Sequence, residues 1–488
     1  MSLRPALLCL ATAIAACGDD TTQATAPAAP TPQPPSISAV VVSANPNSAI
    51  SFTVAVTTDR ADSIRIRYES ADDTSQATPF YRVASHTATA VVVVGLRAST
   101  TYTLVAEAIG QGGRVVSTSQ SAATGELPPA LQTLHLTGSG SPSAGYTLVA
   151  PLFADTSMTA DGFLVAFDQL GVIRWYHRFA GAWPVEAKQQ PNGHITVYVG
   201  RSYGWQPTTG AYVELTAGGE VARSFAVANG YFTDPHELLL SFRDTVVTAA
   251  HLIGYDVQTF DLTSVGGPPH ARLAVHTIER HDAAGALTFR WSAGSLFSIG
   301  DWPLPNPNAA DLEHPSSLAV DSDGGYVVSF QGMDEVTKID STTGALVWRL
   351  GGRHNQFAIR DDPLNGFRGQ HDVQVLANGD LLMLDDHFRG VPAPARAVEY
   401  ALDTRNMVAR MVWQYQPSPP VISPIMGSAQ RLADGSTLVG FGAAGRVDEV
   451  GSDGTVRWSA SLRFDAAASA VPFYRAIRLR SLYEAKSP

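Results

Sequence analysis

Cysteine is nearly missing from this chain: there are two in 488 residues, Cys9 and Cys17. Both fall within the first seventeen positions, so the bulk of the protein has no thiol with which to form a disulfide or hold a metal. Charge is also scarce, since Asp, Glu, Lys and Arg together make up 16%. The formal net charge is −11, and no Lys/Arg cluster interrupts it. That balance excludes nucleic-acid binding by counterion release and gives no basis for an electrostatic hold on a membrane. The apolar run at the N-terminus, Ala6–Ala16, has only eleven residues, too few to span a bilayer.

What is abundant is Gly (42) and Pro (31), a composition suited to many short strands joined by turns. Arg4 precedes the Ala6–Ala16 run, which ends in Ile14, Ala15, Ala16 and Cys17. Small residues before a cysteine read as a lipobox, so residues 1–17 are expected to be a lipoprotein signal peptide with Cys17 the lipidated residue. The protein is then an exported lipoprotein, membrane-anchored on the periplasmic side or at the cell surface. Gly18 leaves open which membrane carries the anchor. Residues 18–35, rich in Thr, Ala, Pro and Gln, cannot bury enough apolar surface to fold and read as a disordered tether.

Residues 36–125 show alternating strands at 38–42, 50–56, 63–68 and 88–94. Leu96, six residues before the strand-opening Tyr102, resembles the tyrosine corner of fibronectin type III-like β-sandwiches. Such a domain is a spacer or docking module, and it leaves a homodimer open. Residues 126–488 carry a repeat. One half of it closes on an aromatic six times, at Trp175, Phe225, Trp291, Trp348, Trp413 and Trp458. The other half is a strand pair joined by Asn192-Gly193, Asp323-Gly324, Asn378-Gly379 or Asp434-Gly435, turns expected to close two-residue hairpins. The fold class is therefore all-β: a six-bladed β-propeller preceded by a small β-sandwich.

Overlaying the second half-repeats brings His236, His314 and His371 to one position in three blades. Glu186, Ser428 and Arg475 occupy it in the others. At the channel-lining start of each blade these six side chains converge on one pocket. Three imidazoles serve two kinds of chemistry. They ligate Zn or Cu, or they attack and protonate groups in the transfer of an anionic centre. A cation or donor nearby, such as Arg475, would stabilise the developing charge.

The segments 311–318, 329–340, 346–352, 367–372 and 384–386 resemble bacterial arylsulfotransferases, and the likeness extends over most of 150–480. The resemblance implies an enzyme that needs no adenylylated sulfate donor and no cofactor or metal. It moves a sulfuryl group from an aryl sulfate to a phenolic acceptor. By its motifs, His371 of Gln370-His371-Asp372 is the nucleophile that becomes sulfated. His314 of Glu313-His314-Pro315 is a sulfate ligand or proton carrier, and His236 of Pro235-His236-Glu237 is its counterpart in the preceding blade. Gln331, Arg475, Glu186 and Ser428 are the expected substrate-binding residues. Gln331 stands where the family commonly has Arg. Losing that charge costs on the order of 2.7–4 kcal/mol of transition-state stabilisation, and Arg475 is the candidate to replace it. His387 follows Asp386 and is expected to face solvent. Two other readings stand beside the sulfotransferase: a non-catalytic, lipid-anchored propeller that binds or scaffolds, and a metal-dependent or other hydrolase on the same histidines.

Overall fold

The computed structural model describes residues 32–84, 86–153, 161–200, 210–301, 311–387, 393–465 and 470–484. Cys17, the signal segment and most of the tether lie outside the described residues. Among the described residues no helix is long and apolar enough to cross a membrane. The fold is all-β and built almost wholly from antiparallel sheets.

The N-terminal strands make two sheets. One orders Ser36–Asn45, Ser48–Asp59 and Ala88–Val93; the other is centred on Ser63–Glu69 and Thr101–Gly110. Alternation along Ser48–Asp59 and Ser63–Glu69 turns Phe52, Val54, Val56, Ile64 and Ile66 into a core shared with Leu96 and Tyr102. The Tyr102 hydroxyl accepts a 2.9 Å hydrogen bond from the Arg97 amide, the contact expected of a tyrosine corner.

Beyond these, strands from Leu134 to Leu479 form six sheets of four or five strands. One edge strand of each sheet touches its counterparts in two others. These inner strands are, first to sixth, Trp183–Gln189, Phe232–Arg243, Pro315–Val320, His371–Val375, Ser428–Arg431 and Phe473–Leu479. Contacts run from each to the next and from the sixth back to the first. The six repeat aromatics all lie on the fourth strand counted from the inner edge of their sheet.

The Asn/Asp-Gly turns differ from expectation by one residue. The Gln190 amide donates to the His194 carbonyl, and the Gly193 amide donates back to Gln190, each at 2.8 Å. The same pattern recurs at Asp321 to Gly325, Leu376 to Asp380 and Leu432 to Ser436. The loops are thus three residues long, a type I turn followed by a left-handed residue. Gly193, Gly324, Gly379 and Gly435 supply that residue, with φ of 85°, 84°, 88° and 83°.

The sixth inner strand is last in sequence yet completes the earliest of these sheets. It pairs antiparallel with Tyr146–Pro151, Tyr146 opposite Leu479 and Leu148 opposite Ile477. The small domain is tied to this same sheet and its neighbour. Asp73 receives Arg174 through both oxygens, at 2.7 and 2.8 Å. Asn45 reaches the Gly218 carbonyl at 2.9 Å, and the Tyr176 hydroxyl accepts from the Ala49 amide at 2.9 Å. Burial alone would raise the Asp73 carboxyl, but Arg174, Tyr102 and Arg97 hold it below the usual range.

Asp73 and Arg174 are 7% and 8% exposed, and Arg97 and Tyr102 keep Asp73 paired when Arg174 is removed. Arg174→Ala is expected to lower the unfolding free energy in urea by about 1.5–3 kcal/mol, the scale of a lost charge-assisted hydrogen bond.

Candidate active site

The inner strands bulge where the predicted residues sit. Pairing skips Glu186 in the first, Asp234 to Glu237 in the second, Ser316 in the third, and Asp372 and Val373 in the fourth. An unpaired residue bends its strand and re-aims its side chain. Backbone strain accompanies this: Glu186, His314 and Asp372 have φ of 36°, 44° and 51°. The bulges turn side chains that regular pleating would send into the sheet interfaces toward the shared axis.

His236 and His314 come together, their ring centroids 4.6 Å apart and near edge-to-face. Each is oriented by a carboxylate just before it in sequence. His236 donates from Nδ1 to Asp234 Oδ1 at 2.7 Å, and His314 from Nδ1 to Asp311 Oδ2 at 2.8 Å. The same carboxylates accept the two histidines' own amides, at 2.9 Å each. With Nδ1 occupied, Nε2 is the ring nitrogen left for a ligand. Desolvation opposes a charge on His314, but Asp311 outweighs it and raises the imidazole above its ordinary value. Asp311 is held down to about 2, burial notwithstanding, by His276 and His314.

His371 has the opposite character. It is 6% exposed. Burial first, then the neighbouring His314 and His236, hold it well below its ordinary value, so it is a neutral base. Nδ1–H donates to the Gly369 carbonyl at 3.0 Å. Nε2 therefore carries the lone pair, and the Met426 amide approaches it at 3.3 Å. Asp386 Oδ2 lies 2.8 Å from Nδ1, but the ring N–H is aimed at Gly369, and neither Asp386 oxygen receives a hydrogen bond. Burial and the adjacent Asp385 push the Asp386 carboxyl well above its usual range.

Beneath the histidines is an ionic cluster. Arg475 Nη1 meets Glu186 at 3.3 Å, Glu237 at 3.2 Å and Asp372 at 3.5 Å. Its Nη2 donates to the carbonyls of His236 at 3.2 Å and Ser316 at 3.1 Å. Lys188 joins Glu186 and Glu237. Burial pushes the Glu186 carboxyl up against the pull of Lys188, with Glu237 reinforcing the rise. Arg475 is thus ion-paired with Glu186, Glu237 and Asp372. Ser428 lies on the fifth inner strand with its hydroxyl held by Ala476, donating to the carbonyl at 3.0 Å and accepting from the amide at 3.1 Å. Gln331 starts a 3-10 turn, and its amide donates to the His314 carbonyl at 2.9 Å. His387 does not face solvent: its side chain is 20% exposed, and Nδ1 sits 3.7 Å from Asp385.

The repeat puts His236, His314 and His371 at one position, and the structure sets the first two rings against each other; Asp234, Asp311 and Asp386 were not singled out. An Asp shortly before a histidine at a strand start would have signalled the first two. Among the described residues no group of three or more His, Cys, Asp or Glu is arranged to hold a metal ion. The chemistry on offer is a neutral imidazole whose Nε2 lone pair meets only the long contact from the Met426 amide, near a second imidazole favoured in its protonated form.

Residues 220–463, half of the chain, match the family model described as Arylsulfotransferase (ASST). No curated protein matches the chain. Among solved structures, a protein of unknown function from Bacteroides caccae is 14% identical, covering 70% of this chain and 100% of its own, with a TM-score of 0.42. A streptogramin B lyase is 10% identical over 69% of this chain and 90% of its own, with a TM-score of 0.34. A virginiamycin B lyase from Staphylococcus aureus is 9% identical over 68% and 99%, with a TM-score of 0.31.

The raised His314 has a stability signature. A folded-state value above the unfolded 6.5 stabilises fully below that pH and is lost as pH rises through the folded value. The excess stability of wild type over His314→Gln is therefore expected to be largest near about pH 6 and to shrink toward about pH 9 in urea titrations.

Proposed function

The chain belongs to the arylsulfotransferase family, and we propose that it moves a sulfuryl group from an aryl sulfate to a phenol through a sulfohistidine on His371, with no adenylylated sulfate donor. The observation that carries this reading is the state of His371. It is buried and neutral, with Nδ1–H tied to Gly369 and its lone pair on Nε2. In the first step Nε2 attacks sulfur. The N–S bond forms as the S–O bond to the aryl group breaks, and the departing phenolate takes the proton of His314. In the second step an acceptor phenol gives its proton back to His314 while its oxygen attacks sulfur. The N–S bond breaks, and the lone pair returns to Nε2.

His314 is the proton carrier in this scheme, since Asp311 stabilises its charged form. His236 packs edge-to-face against His314 beside the pocket, and Gln331 adds a side-chain amide beside the His314 backbone that can donate to the sulfuryl oxygens. We assign Arg475 and Glu186 to holding the inner strands beneath the pocket and Ser428 to bridging the fifth and sixth. The body from 126 to 488 is read as a six-bladed β-propeller, supported by six sheets whose inner strands touch in cyclic order. Residues 36–125 are read as a fibronectin type III-like domain, supported by the Tyr102 corner. Anchoring at Cys17, with export to the periplasm or cell surface, rests on the lipobox alone.

The test is a chromogenic aryl sulfate with a phenol acceptor, comparing wild type with His371→Ala and His371→Asn. Both variants are expected to lose phenol release to background, and intact mass of wild type with donor alone should show one added sulfuryl group. Release that survives both substitutions would overturn the covalent-histidine route. No release by wild type with any of several donors would favour a binding module. His314→Gln is expected to slow turnover by about 10²–10⁴-fold, the range of a lost general acid.

A further inference from the structure

His276 belongs to neither the sequence motifs nor the reaction above, yet it touches the support of both exposed imidazoles. It lies on the strand Ala271–Asp282, two strands outward from the second inner strand, and its side chain is 3% exposed. Its Nδ1 is 3.1 Å from Glu313 Oε2 and 3.8 Å from Asp311 Oδ1. Its Nε2 is 3.6 Å from Asp234 Oδ2, an ion-pair separation rather than a hydrogen bond. Its amide also donates to Glu313, at 2.9 Å.

Carboxylates lie at both ends of this ring, Glu313 at hydrogen-bond distance from Nδ1 and Asp234 at ion-pair separation from Nε2, and opposite charges that close favour the cation. The charge count agrees. Asp234 and Glu313 are buried and Asp311 is largely so, and among the described residues no Lys or Arg forms an ion pair with them. Uncompensated, such carboxylates take up protons or destabilise the fold. The remaining ionisable groups around His276 are His236 and His314, beyond their aspartates, and Tyr255, whose ring centroid is 5.7 Å away. Tyr255 is no cation, and the two histidines are the groups that Asp234 and Asp311 orient.

We propose that His276 is a buried imidazolium that keeps Asp234 and Asp311 ionised together, and thereby locks His236 and His314 in the form with Nδ1 protonated and Nε2 toward the pocket. It is a positioning residue. Asp234 gives one oxygen to His236 and turns the other to His276, while Asp311 spans His314 and His276. One charge thus sets two rings on adjacent sheets. Burial works against this cation, but Asp311, Asp234 and Glu313 outweigh it and raise His276 well above its ordinary value. The catalytic part of this role rests on the sulfotransfer reading; the protonation part does not.

The experiment is nitrogen-15 NMR of the imidazoles in the full chain without substrate, alongside aryl sulfate turnover. In wild type near about pH 8, where a free imidazole is neutral, His276 is expected to be doubly protonated, with His236 and His314 protonated at Nδ1. In His276→Gln the fixed Nδ1 protonation of both rings is expected to be lost. kcat should fall about 10–100-fold, the scale of a lost supporting contact, with KM little changed and the pH–rate profile shifted. His276→Lys, which restores a cation, is expected to recover part of the rate and of the tautomer signal. A neutral His276 in wild type at that pH overturns the proposal, even where His276→Gln fails to fold. So does a His276→Gln variant with unchanged tautomers. If wild type transfers no sulfuryl group while His276 is doubly protonated and its loss frees both rings, the enzyme reading fails and the positioning role stands.

Discussion

One buried guanidinium holds the centre of this molecule. Arg475, on the sixth inner strand, reaches Glu186 on the first, Glu237 and the His236 carbonyl on the second, Ser316 on the third and Asp372 on the fourth. Burying a charge is costly unless its partners are complete. Here the partners come from four separate strands, so the cation is satisfied only when all four are in place. The bulges follow from the same requirement. Glu186 and Asp372 reach Arg475 only because their strands skip a pairing position, and the second strand skips four residues to deliver both Glu237 below and His236 above. The pocket is shaped by what its floor needs.

Above that floor, environment separates groups of like chemistry. His371 is enclosed and close to two other imidazoles, which removes its proton. His314 is more open and backed by Asp311, which retains one. Two histidines of equal intrinsic basicity are thereby shifted in opposite directions. Asp386 extends the pattern: its carboxyl is pushed up by burial and Asp385.

What could be read from the residues had local physical causes. Asn-Gly and Asp-Gly pairs mark the inner hairpins because one loop residue must be left-handed, though they did not reveal that the loop has three residues. The recurring Trp marks the fourth strand because each sheet needs a large apolar residue there. His314 and His371 overlay because both open an inner strand. The illegible parts depend on contacts across the chain. Asp234 precedes His236 by two positions and Asp311 precedes His314 by three, so no single spacing announces the pair. Asp386 reaches His371 across a hairpin. The contacts of Arg475 depend on four distant strands. Ser428 had the right repeat position, but its short side chain ends on the neighbouring strand.

The pairing of Phe473–Leu479 with Tyr146–Pro151 has a meaning beyond architecture. It is a clasp, and it fastens last. Every other sheet can collect its four principal strands in order as the chain emerges, while the earliest must wait with an open edge until the final inner strand arrives. That strand carries Arg475, so until the clasp shuts the acidic lining of the floor has Lys188 but not the guanidinium as counter-ion. Assembly therefore has a built-in order: sheets first, then closure, then charge neutralisation, and only then a pocket. Closing a contact between such distant segments is entropically slow, so partly assembled forms would present an exposed strand edge and a cluster of carboxylates without its guanidinium.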